Sequence, residues 1–118
     1  MSLADAPSGL TDAQYNAAIQ AALARIEGVV DKWLEDDVID IDTARSGGML
    51  TLALPDRSQL IVNAQPPLHE LWLAARRGGF HFKLDEHGRW LDTRSGDEFF
   101  VLLSECASEQ ARRPGLLF

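Results

Sequence analysis

A chain of 118 residues with a net charge of −7 has room for one domain around one core. Apolar residues at 46% and charged residues at 25% suit a soluble globular protein, and no apolar run nears the roughly 20 residues that span a bilayer. The acidic balance argues against a nucleic-acid binder, which concentrates positive charge, and favours a basic protein surface or a cation as partner.

The start, MSLADAPSGL, lacks the basic and apolar segments of a secretory leader and the Arg content of a mitochondrial presequence, so a cytoplasmic location is expected. Cys106 is the only cysteine, so an internal disulfide or Cys-rich zinc site is excluded. It falls on the apolar pattern of a predicted helix, where it reads as a small buried hydrophobe.

Residues 1–10 read as a flexible tail. Thr11 and Gln14 match the capping-box spacing, and Leu10 can staple against Tyr15. Apolar residues then recur at Tyr15, Ile19, Ala22, Ile26, Val29 or Val30, and Trp33, which predicts a helix from about Asp12 to Leu34. Gly28 lies inside it, at a cost of about 1 kcal/mol relative to Ala.

The period then changes from helical to alternating. Ile39 and Ile41, alternating with Asp40 and Asp42, predict a first strand, and Ser46-Gly47-Gly48 a turn. Leu50, Leu52 and Leu54 predict a second strand, Leu60 and Val62 a third, Leu71 and Leu73 a fourth, Phe80, Phe82 and Leu84 a fifth, and Trp90-Leu91 a short sixth. Ser95 and Glu98 form a second capping-box pattern, ahead of a helix with Phe99, Leu102, Leu103 and Cys106 on its apolar face. The expected domain covers residues 11–110, with residues 111–118 as a C-terminal tail. Short connections imply an antiparallel meander, and helices at both chain ends must cover one of its faces. The expected fold is an α/β two-layer sandwich in α-β6-α order.

Seven of the 18 acids, Glu27, Asp31, Glu35, Asp36, Asp37, Asp40 and Asp42, fall within 16 residues, with Lys32 the only base among them. Glu27, Asp31 and Glu35 are four apart and form one row on a helix, where each like-charged pair costs about 0.2–0.5 kcal/mol. Asp31 and Glu35 also oppose the macrodipole near the helix end, at about 0.3–1 kcal/mol each. Asp40 and Asp42 are expected on one face of the first strand, continuing the ridge. Penalties that coincide in one place point to function, although a solvated acidic face guarding an edge strand gives the same pattern. Exposed carboxylates suit hard cations or a basic patch. Neither an EF-hand loop nor a preformed cage of His and Cys is present, so a shallow row of exposed carboxylates would bind a hard cation such as Fe²⁺ or Fe³⁺ weakly, at several sites, with water completing each shell.

On the sheet, strand parity turns Thr51, Asn63, Trp72 and His81 away from the core. Trp72 beside Asn63 and Gln65 is a candidate anchor, because Trp is enriched at binding hot spots. His81 reads more simply as a solvated sheet residue, and His69 and His87 fall near turns. There is no phosphate loop, zinc-protease motif or nucleophile motif, and no enzyme is expected.

The segments Ser46-Gly47-Gly48-Met49-Leu50-Thr51-Leu52, Ile61-Val62-Asn63-Ala64-Gln65, Pro67 to Ala74, Gly78-Gly79-Phe80-His81-Phe82 and Arg94 to Phe99, behind an acid-rich first helix, resemble the bacterial frataxin family of the CyaY type. The resemblance covers about residues 11–110. It implies a protein that binds Fe²⁺ or Fe³⁺ weakly and acts in iron–sulfur cluster assembly, as an iron donor or as a regulator of the cysteine desulfurase. Glu27, Asp31, Glu35, Asp36, Asp37, Asp40 and Asp42 match the family's acidic metal-binding region. Asn63, Gln65 and Trp72 match its sheet-face contact region. Val30 and Lys32 stand where bacterial members often carry adjacent acids. The implied partners are the desulfurase and the scaffold protein, with no nucleic acid or membrane. A monomer is expected, with iron-dependent oligomers as the alternative state.

Overall fold

The computed structural model describes residues 9–118. The expected tail over residues 1–10 therefore lies, apart from Gly9 and Leu10, outside the described residues.

Helix α1 runs Asp12–Glu35. Its start is fixed as the spacing predicts: Gln14 N donates to Thr11 Oγ1 at 3.0 Å, and Thr11 N donates to Gln14 Oε1 at 2.9 Å. Tyr15, Ile19, Ala22, Leu23, Ile26 and Val30 form its buried stripe. The helix stops at Asp36, and Asp37 turns the chain with a left-handed φ of 58°.

Six strands follow: β1 Asp42–Ser46, β2 Met49–Ala53, β3 Gln59–Gln65, β4 Glu70–Ala75, β5 Gly78–Leu84 and β6 Trp90–Asp92. A 3₁₀ turn, Pro66–Leu68, links β3 to β4. Every strand pairs antiparallel with its sequence neighbour, in the order β1-β2-β3-β4-β5-β6. The β1–β2 hairpin pairs Ser46 with Met49 around Gly47-Gly48. Gly47 supplies the positive φ of 60° that the tight turn requires. At Gly48 the sheet passes so close that a Cβ would stand 2.9 Å from that of Ala64.

The first strand begins where it was expected to end. Residues 39–41 lead into it without pairing. Beyond the Asp42–Ala53 pair, Leu54 turns its N–H to Ser58 O on the β3 side, and the next residue that would face β1 is Pro55, which has no N–H to give. Ile41 is buried nonetheless, and Ile39 partly so.

Helix α2 covers Phe99–Ala111. The expected capping box does not form. Glu98 is itself the cap, accepting from Phe100 N at 2.9 Å and Val101 N at 3.0 Å. Ser95 is held in the preceding turn, where it and Arg94 donate their backbone N–H groups to Asp92 Oδ1. The Ser95 hydroxyl accepts from Asp97 N at 3.1 Å, and Asp92 Oδ1 takes the Ser95 N–H that the Glu98 side chain would have met, so neither half of the box forms.

Both helices pack on one face of the sheet, around Tyr15, Leu50, Leu60, Leu71, Phe82, Phe99 and Leu103, all essentially inaccessible. The segment expected as a tail returns to this layer. Leu116 and Phe118 are buried, Phe118 N donates to Ser104 Oγ at 2.9 Å, and its ring meets Trp33 edge-on at 4.8 Å. Cys106 is fully buried, and burial pushes its thiol pKa up, as befits an inert core residue.

Candidate functional site

The acids fall into two groups. Glu27 is half-buried and bound: Arg45 Nη1 donates to its Oε1 at 2.7 Å, and Arg45 Nη2 reaches Gln20 Oε1. Lys32 is therefore not the only base serving the ridge. Arg45 comes from β1, 18 residues away in sequence, and strand pairing places it opposite Leu50 on the helix side of the sheet. Asp36 meets Lys32 at 3.3 Å, but both side chains are at least half exposed, so the pair contributes little.

Asp31, Glu35, Asp37, Asp40 and Asp42 are exposed and have no ion partner among the described residues. Asp40 precedes β1 instead of sharing a strand face with Asp42. Asp42 lies opposite Ala53, on the face turned away from the helices. The acids thus wrap around the sheet edge instead of running as one straight ridge. Among the described residues, no three His, Cys, Asp or Glu side chains converge closely enough to share one metal ion. Such a donor set fits a hard cation only through one or two carboxylate oxygens at a time, with water filling the rest of the shell.

The outer sheet face is built differently. Register aligns Gln65, Glu70 and Lys83 in one row across β3, β4 and β5, and Asn63, Trp72 and His81 in the next. All three residues expected there, Asn63, Gln65 and Trp72, are half-buried members of these two rows. The Trp72 and His81 rings stack, with centroids 4.0 Å apart and planes 6° from parallel. Trp72 Nε1 donates to Glu70 Oε1 at 2.8 Å. His81 is exposed, as its reading as a solvated sheet residue expected, and it also stacks on Trp72.

Tyr15 ties this face to α1. Its buried hydroxyl donates to Glu70 O at 2.5 Å and accepts from Gln65 N at 3.0 Å. Burial pushes the phenol pKa up. The Tyr15 ring also stacks on His69, whose Nε2 stands 2.7 Å from Asp12 Oδ1.

Sequence reasoning missed Glu70. Its parity with Trp72 was the available signal, but a strand Glu ordinarily reads as solvated. Here it is only 8% exposed, on a face that otherwise meets water.

The fold is an α-β sandwich with one helix-covered face, a border of exposed carboxylates and a polar-aromatic outer sheet face. Comparison with known proteins carries this further. A family model described as a frataxin-like domain matches residues 8–113. The iron–sulfur cluster assembly protein CyaY of Paraburkholderia xenovorans is 50% identical over 105 residues, covering 89% of this chain and 95% of its own. The frataxin of Psychromonas ingrahamii superposes with a TM-score of 0.70 at 31% identity, covering 87% of this chain and 93% of that one. A trimeric frataxin from the yeast Saccharomyces cerevisiae, complexed with ferrous iron, shares the fold with a TM-score of 0.56 at 24% identity, covering 94% of this chain and 89% of its own. The chain belongs to the frataxin family. Among the described residues, no helix is long and apolar enough to cross a membrane.

Proposed function

We propose that this chain is an iron-binding accessory protein of iron–sulfur cluster assembly, cytoplasmic and without enzymatic activity of its own. It delivers iron to the cysteine desulfurase and scaffold complex or regulates that complex. The observation that carries this reading is the set of exposed carboxylates without ion partners, Asp31, Glu35, Asp37, Asp40 and Asp42, at the border of α1 and β1. Fe²⁺ or Fe³⁺ binds there weakly as cargo. Glu27 and Asp36 contribute less, because Arg45 and Lys32 compete for them. Asn63, Gln65 and Trp72 form the contact face for the desulfurase or scaffold. The protein acts as a monomer, with iron-dependent oligomers as the alternative state. The name carried by its CyaY relatives supports the pathway.

A second reading keeps the docking and makes iron incidental. It is favoured by the absence of converging ligands among the described residues, since dispersed acids serve a patch of Lys and Arg equally well.

An anaerobic Fe²⁺ titration followed by NMR separates the two. Broadening confined to residues 31–42, with desulfurase binding that strengthens when iron is added, supports the first. Metal-independent desulfurase binding that weakens steeply between low and high salt supports the second. A response centred on His69 or His81 overturns the assignment of the acidic border as the iron site.

A further inference from the structure

A buried carboxylate is costly unless its oxygens are met. Glu70 lies on the outer sheet face, yet its side chain is only 11% exposed. Its neighbours account for both its burial and its satisfaction. Lys83 is its cross-strand partner, and Trp72 and His81 are the next cross-strand pair along the same face. Oε1 accepts from Trp72 Nε1 at 2.8 Å and faces His81 Nδ1 at 3.8 Å, and Oε2 faces Lys83 Nζ at 3.5 Å. The Lys83 ammonium also donates to Leu68 O at 3.0 Å. One carboxylate therefore sits at the centre of three donor-bearing side chains from two strands.

Without a bond at Nε1, nothing else among the described hydrogen bonds fixes the turn of the Trp72 indole about its side-chain torsions. Beyond the Trp72–His81 pair, the next row of the face holds Ala74 and Gly79. On the β5 side of that row, Gly79 offers no side chain against His81, while Ile61 of β3 flanks Ala74 on the other side. An aromatic pair that must meet a partner in one orientation gains from being held there beforehand, because the ordering cost is then met on folding and not on binding.

We propose that Glu70 is a positioning residue: its buried carboxylate holds Trp72 and His81 as one pre-formed contact plate and anchors Lys83 at the rim. The docking half of this inference rests on the proposed role of the Trp72 face; the positioning half stands on the free protein.

The test uses the full chain, isotope-labelled, as wild type, Glu70→Gln and Glu70→Ala. In Glu70→Ala the Trp72 indole N–H should exchange with solvent at least about tenfold faster, and the ring-to-ring contacts between Trp72 and His81 should vanish from NOE spectra. Glu70→Gln should restore both, because its amide oxygen can accept the same bond. Amide dispersion of Leu71 and Leu73 on the core side reports that the fold is intact. Should Glu70→Ala not fold, Trp72→Phe removes the donor from the other side and should equally release the His81 ring. An unchanged stack in these variants overturns the positioning role.

Affinity for the cysteine desulfurase, measured on the same variants, should fall about tenfold in Glu70→Ala and stay within about threefold of wild type in Glu70→Gln. A lost stack with undiminished desulfurase binding overturns the link between the plate and docking. If the wild type itself does not bind the desulfurase, the partner assignment fails, and the NMR result on the free protein still decides the role of Glu70.

Discussion

At the end of α1 and the start of β1, five exposed carboxylates carry charge with little fixed geometry. Around Trp72, one buried carboxylate fixes geometry while exposing little charge. The two regions suit different tasks. Loose carboxylates can exchange a hydrated cation or follow a basic surface at long range, and salt screens them. A locked aromatic pair gives contact energy and orientation at short range, and salt affects it little. On the proposed function, attraction and recognition fall to separate surfaces of one small domain.

The contrast can be broken most sharply at Trp72. Trp72→Ala should cost at least about 2 kcal/mol of desulfurase affinity, roughly 30-fold, with the salt dependence of the remaining binding unchanged. A parallel loss of salt dependence would mean that the two surfaces do not act separately. Next in size is Tyr15→Phe. It leaves the Gln65 N–H and Glu70 carbonyl without their hydroxyl partner, so chemical denaturation should show a loss of about 1–3 kcal/mol. Iron titration should be unaffected, since the acids lie elsewhere.

Gly28→Ala acts on the other region without touching its charge. A Cβ there would meet nothing within 4 Å, so the helix should gain up to about 1 kcal/mol in thermal unfolding. If iron affinity changes along with it, the flexibility of the helix, and not its charge alone, contributes to binding. The smallest effect is expected at Asp31→Asn. Removing one anion from the row and from the helix end should raise metal-free stability by a few tenths of a kcal/mol and weaken iron binding. A destabilised variant with unchanged iron affinity would contradict the view that these acids are held at a cost for a ligand.

The sequence made the architecture legible wherever a period was sustained. Helix α1 was readable to within a residue at its end, and its capping box was present as written. Strands β2 to β5 followed from alternating Leu, Val and Phe. The failures came where distant residues decide. Ile39 and Ile41 alternate like a strand, but Pro55 has no N–H to continue the ladder. Ser95 and Glu98 have capping spacing, but Asp92 claims the turn. In the candidate site, the acids and Trp72 were singled out because they break local rules or stand out by type. The Arg45 bond to Glu27 could not, since it depends on which strand edge passes the helix. Glu70 was hidden for a similar reason: only the pairing of β4 with β5 brings Lys83 and His81 over it.

The hydroxyl of Tyr15 bears on the order in which this molecule comes apart. The sheet is a meander in which each strand meets its sequence neighbour, so its pairings close short loops. The Tyr15 bonds instead reach 50 and 55 residues along the chain. Long closures of this kind are expected late in folding and early in unfolding, so loosening them should speed unfolding more than it slows folding. A transient lifting of α1 from the sheet would free Gln65 N–H and the Glu70 carbonyl while most strand pairs persist. Amide exchange at Gln65 would report that opening directly. The lifetime of an ordered Trp72 face is then limited by how long helix α1 stays docked behind it.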